Sequence, residues 1–145
     1  MSGIVKNNVA LIGGLDYKAI SDANTHTITD TADVQIFTTT GSSRTWARPS
    51  WANTVYIECV GAGGGGGGAA GNSGGNSNGG GAGGGGAISR GIYDANALPA
   101  TLTITVGAGG SSGAGGSSGI GTAGTAGGNS SVTSGGFTLS AFGGG

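Results

Sequence analysis

Apolar and polar positions alternate with a period of two over several short stretches, which predicts strands. Val34–Thr40 reads VQIFTTT, rich in β-branched residues and stopped by the turn cluster Gly41-Ser42-Ser43; Thr45–Arg48 is the expected return strand, closed by Pro49. In Thr54–Val60 the alternation places Val55, Ile57 and Cys59 on one face and Thr54, Tyr56 and Glu58 on the other. Alternation resumes at Ala87–Tyr93. It returns in Thr101–Val106, where Leu102, Ile104 and Val106 point inward, and in Phe137–Phe142, where Phe137, Leu139 and Ala141 share a side. Before residue 34 the apolar residues form only small clusters, which predict an extended arm with one or two short strands at Val9–Ile12 and Thr25–Thr29. No stretch carries a helical period, so the expected fold is all-β.

The strands are separated by glycine rather than by hairpin turns. Val60–Gly86 consists mostly of Gly, with Ala, Asn and Ser between, and the letters VGAGG at residues 60–64 recur within Val106–Gly110. In steps of three, Gly65, Gly68, Gly71, Gly74, Gly80, Gly83 and Gly86 share one register, broken at Ser77, while Gly107, Gly110, Gly113, Gly116 and Gly119 share another. Gly at every third position leaves a polyproline II helix one bare edge on which another backbone can pack. Proline is absent from both tracts, so ordered packing of this kind and loose surface loops both fit the spacing.

Glycine lies almost wholly after residue 60, which divides the chain into an N-terminal arm, 1–33, and a glycine-rich β-sandwich, 34–145, with long glycine loops. Charged residues make up only 8% and the net charge is −1. Disordered chains carry excess charge and lack apolar strands, so a folded glycine-rich chain is expected. Glycine supplies no side-chain core, and a lone monomer of this composition is expected to gain from oligomerisation. No apolar run approaches the roughly 20 residues of a membrane helix, and Val9–Leu15 lacks the features of a signal peptide. The scattered Lys and Arg give no basic stripe, so neither membrane insertion nor nucleic-acid binding is expected. The single cysteine excludes a disulfide framework within one chain and suits a reducing cytosol.

Candidate chemistry is sparse. His26 is the only histidine and has no partners in a catalytic pattern; the acidic pattern that begins at Asp22 lacks the glycine and glutamate of a calcium loop. Three copies of His26 on a trimer axis are a conceivable metal site, with an exposed polar side chain the default. The glycine runs are not followed by Gly-Lys-Ser/Thr, so no phosphate loop is expected. No enzyme activity, cofactor or metal is expected. Cys59 reads as a small buried apolar residue, and Glu58 and Arg90 as a cross-strand pair. Trp46, Trp51 and Tyr56 suit core or intersubunit packing, or the faces of sugars. Asn72, Ser73, Asn76, Ser77 and Asn78 form the one polar island of the first tract, either hydrated spacers or, with Trp51, candidate receptor contacts.

Thr45-Trp46-Ala47-Arg48-Pro49, Val60–Gly68, Ile104–Gly110 and Phe137–Gly145 together resemble the glycine-rich domain of bacteriophage tail-fibre and baseplate proteins, over about residues 34–145. That resemblance implies a β-structured virion component of the tail, assembled in the host cytoplasm, that contributes to attachment to the host surface. It further implies a homotrimer that docks on other tail or baseplate proteins through residues 1–33, with Val9, Leu11, Ile12 and Tyr17 as candidate docking residues. A host-surface glycan or protein would be the partner at the other end. Two alternatives remain open: a tail adaptor or collar piece that binds no receptor, and a glycine-rich matrix or ice-binding protein.

Overall fold

The computed structural model describes residues 14–22, 25–71 and 78–145. The fold is all-β. β1 (Gly14–Asp22) and β2 (Thr25–Asp33) form an antiparallel hairpin; β3 (Arg44–Ala47), β6 (Thr101–Thr105), β7 (Ser130–Ser134) and β8 (Phe137–Ala141) form a four-stranded antiparallel sheet in the order β3-β6-β7-β8; β4 (Thr54–Val60) and β5 (Ile88–Asp94) form a two-stranded sheet. One turn of 3-10 helix, Ala95–Ala97, follows β5, capped by the Asp94 carboxylate, which accepts from the Asn96 amide. β7 and β8 are joined through Gly135 (φ 49°) and Gly136 (φ 109°), left-handed conformations that a tight hairpin demands and that favour glycine.

The two-stranded sheet packs its inner side onto β7 and β8. Val55, Cys59, Leu102, Val132 and Ala141 are buried between the sheets, together with Ala52, Ala95 and Leu98 at one end. Trp46, Trp51, Ile57, Ile104 and Leu139 pack around them, and the Tyr93 ring meets Phe137 edge-on at 5.0 Å. Cys59 is buried, its thiol 3.8 Å from the Leu139 carbonyl, and burial pushes its pKa up. The alternation in Thr54–Val60 thus sorts its two faces as the sequence predicts, apart from a half-buried Ile57.

Five strands do not end where their pleat ends. β4 continues into segment I (61–71), segment II (78–87) leads into β5, β6 continues into segment III (106–116), segment IV (119–129) leads into β7, and β8 continues into segment V (142–145). Among these segments the backbone hydrogen bonds recur every three residues. The amides of Gly61, Gly64, Gly67 and Ala70 donate to the carbonyls of Ala87, Gly84, Gly81 and Asn78 in segment II. Those of Ala62, Gly65, Gly68 and Gly71 donate to Gly128, Thr125, Thr122 and Gly119 in segment IV. The carbonyls of Gly63, Gly66 and Ala69 accept from Gly110, Gly113 and Gly116 in segment III. Three residues per turn, with a different neighbour for each of the three positions, is the signature of packed polyproline II helices. Segment I is the central one.

The bundle inherits the layers of the sandwich: segments III, IV and V continue β6, β7 and β8, and segments I and II continue β4 and β5. A pleated strand directs its hydrogen bonds sideways only, so sandwich layers stand about 10 Å apart with side chains between them. A three-fold helix bonds in three directions, so the layers of the bundle bond directly to each other. Glycine makes that approach possible. A Cβ on Gly65 or Gly68 would lie 1.9 Å from the Ser111 or Ala114 carbonyl oxygen, and one on Gly80 or Gly86 would lie 1.9 Å from that of Gly67 or Gly61.

The structure therefore decides for ordered packing over loose loops wherever the tracts are described. The register Gly65, Gly68, Gly71, Gly80, Gly83, Gly86 faces neighbouring backbone throughout, as does Gly107, Gly110, Gly113, Gly116; Gly119 faces open space, and Gly74 lies outside the described residues. Several other expectations need correction. Val34–Thr40 is not a strand, because no partner among the described residues bonds to it. The segment expected to return along it, now β3, pairs instead with β6, Trp46 opposite Leu102. β1 and β7 were not anticipated: SSVTS at 130–134 is short and polar, and it is strand because β6 and β8 flank it. Thr25–Thr29 falls within β2; Val9–Ile12 lies outside the described residues.

Candidate functional site

The molecule offers three surfaces, and the strand-to-bundle axis separates them. The first is the far end of the bundle. Segments I and II close on each other where Ala70 and Asn78 exchange both backbone hydrogen bonds, at 3.0 and 3.1 Å. Segments III and IV turn at Ser117–Gly119, and Gly71 donates to the Gly119 carbonyl at 3.0 Å, which ties the two turns together. Ile120, at this end, is 92% exposed. Asn78, Ser117 and Ser118 are exposed beside it. Of the polar island, Asn72, Ser73, Asn76 and Ser77 lie outside the described residues, between Gly71 and Asn78. Ile120, Ser117 and Ser118 were missed in the sequence because they look like any other spacer; only the position of the turn sets them apart.

Trp51 is not near this tip. It precedes β4 and packs half-buried against the core at the opposite end of the sandwich. A seven-residue strand and eleven residues of polyproline II separate the two, about 55 Å along the axis. Near Trp51, Arg48 donates through Nη1 to the Ala95 carbonyl at 2.6 Å and to Asn96 Oδ1 at 3.1 Å, so that end of the sandwich is tied shut.

The second surface is the outer face of β4 and β5, where Tyr56 lies opposite Ile92, Glu58 opposite Arg90 and Val60 opposite Ile88. Val60, Ile88 and Ile92 are exposed. The expected pair is present: Arg90 Nε stands 3.9 Å from Glu58 Oε2, solvated and of small energetic weight. The same carboxylate oxygen accepts from the Tyr56 hydroxyl at 2.8 Å, and that hydrogen bond raises the phenol's pKa. Tyr56 is thus a surface residue, unlike Trp46 and Trp51.

The third surface is a groove of 560 Å³ between β4 and the inner side of β6 and β7, walled on its open side by residues 33–37. His26 lies on β2 opposite Ser21, and Tyr17 on β1 opposite Asp30; Val9, Leu11 and Ile12 lie outside the described residues. Among the described residues no three His, Cys, Asp or Glu side chains group to hold a metal ion.

A glycine-rich domain family model matches residues 38–145. The chain belongs to that family. The match takes in the sandwich from just before β3 and every segment of the bundle, so the family's glycine is here the glycine of layer-to-layer hydrogen bonding. No curated protein and no solved structure matches the chain.

Proposed function

We propose that the protein is a structural virion component of a phage tail fibre or baseplate that contributes to attachment to the host cell surface. The single observation that carries this reading is the bundle itself: a stalk of five backbone-bonded helices that holds Ile120, Asn78, Ser117 and Ser118 far from the sandwich at its root. The resemblance of its strand-glycine junctions to tail-fibre and baseplate proteins adds to it. In this reading residues 1–33 dock on the particle, the chains assemble as a homotrimer, and three identical weak tips act together on a surface glycan or protein.

The ice-binding alternative needs threonine hydroxyls free on a flat face. Thr122 and Thr125 instead accept from the Ala114 and Ser111 amides, at 2.7 and 2.8 Å. That geometry favours a stalk over an ice face. Labelled protein added to cells of the phage's host tests the proposal. Surface labelling, with infection blocked and both effects reduced by Ile120→Asp, is the expected result. Retention on tail particles through residues 1–33 without adsorption to cells replaces the adhesin with an adaptor.

A further inference from the structure

A β-prone segment and an unpaired strand edge are both left over in this chain. Val34–Thr40 consists of β-branched and aromatic residues and one glutamine, yet its backbone makes no hydrogen bond to the described residues. Val34 and Ile36 are 51% and 82% exposed. Across the groove, β4 bonds to β5 along one edge and to no described residue along the other; β1 lies beside it without joining its sheet. The two-stranded sheet packs on β7 and β8, so the half-buried Ile104 on β6 and Ile57 on β4 line the groove beside the buried Leu102 and Val55. Among the described residues the sandwich is one strand short on this side.

The chemistry of the missing strand follows from the walls. Among the described residues, Asp33 and Glu58 are the only charged ones that line the groove, and a charged strand laid into it would bury charge against an apolar wall at high cost. The fitting strand is uncharged and about as long as β4. Val34–Thr40 has no charge and the same length, seven residues. In its own protomer its first half, Val34–Phe37, lines the groove, and the segment, which joins β2 at Asp33 to β3 at Arg44, forms no ladder among the described residues. Both leftover elements therefore find what they lack on an identical neighbour. We propose that Val34–Thr40 of one copy pairs with the free edge of β4 in a second copy and fills its groove, a head-to-tail strand exchange that closes as a ring. This contact stands or falls independently of attachment to a host.

Hydrogen exchange and light scattering on the full chain test it. Expected are a mass above that of one 13.4 kDa chain at micromolar concentration, and amides of residues 35–39 that are protected in the assembly and exchange freely on dilution. Ile36→Asp and Thr38→Pro should each reduce the mass to that of a single chain while amide protection in segments I–IV persists. The dilution experiment needs no variant, so a substitution that misfolds leaves the test intact. A monomeric wild-type chain, protection of residues 35–39 that does not change on dilution, or an assembly unaffected by a folded Ile36→Asp variant would each overturn the proposal.

Discussion

Gly68 and Gly81 are both tract glycines, and they differ in what a methyl group would meet. At Gly68 it would meet the Ala114 carbonyl oxygen at 1.9 Å; at Gly81 it meets nothing within 4 Å. Neither lies in the left-handed region, so conformation does not decide between them and contact does. Gly68→Ala has to push two backbone segments apart, and a loss of about 3 kcal/mol or more is expected. Gly81→Ala restricts the unfolded chain without a clash, with an expected gain of about 0.5 kcal/mol. Denaturant midpoints of the two variants measure the contrast. Cys59 sets a pH limit at the same scale. Its raised folded pKa means that the unfolded thiol ionises first as pH rises, so stability is complete below about pH 8.5 and falls above it. Urea unfolding from pH 7 to pH 10 should show that decline, and Cys59→Ala should flatten it. The Tyr56 phenol, raised chiefly by its hydrogen bond to Glu58, should titrate lower in Glu58→Gln, read from its ultraviolet absorbance.

The next scale is the helix, whose unit is the three-residue turn. One glycine inserted into segment I moves each later residue to a different neighbour, so a bare position falls where a hydrogen bond is needed. Three inserted residues restore every register. The single insertion should abolish cooperative unfolding of the bundle, whereas three residues inserted between Gly71 and Asn78 should leave the midpoint unchanged. Thr122 shows how segment IV uses its outward positions: its hydroxyl accepts from the Ala114 amide, and Thr122→Val should cost about 1 kcal/mol. Much of this was legible in the chain. Gly65, Gly68, Gly80 and Gly83 showed a register in their spacing, but the same spacing fitted loose loops, and the neighbouring backbone each of them meets decides for packing. The strands of Thr54–Val60 and Thr101–Thr105 were legible because one face is buried. What could not be read was partnership. Val34–Thr40 has the composition of a strand and lacks a strand partner among the described residues, while Ser130–Ser134 has poor composition and good neighbours. The tip was half legible: the polar island stood out in the sequence, but Ile120 gained significance only from the turn that carries it.

Taken whole, the molecule changes its means of cohesion along its length. At the sandwich, side chains such as Leu102 and Val132 fill the space between layers; beyond Val60 and Thr105 the layers meet backbone to backbone. Heat capacity on unfolding comes from newly exposed apolar surface and is reduced by exposed polar surface. The bundle hides amides and little else, so the calorimetric increment per residue should fall well below the usual 12–15 cal/mol/K, approximately. A small increment straightens the stability curve. An ordinary hydrophobic core loosens on cooling, but a lattice of peptide hydrogen bonds with almost no apolar surface to hydrate should keep tightening as the temperature drops.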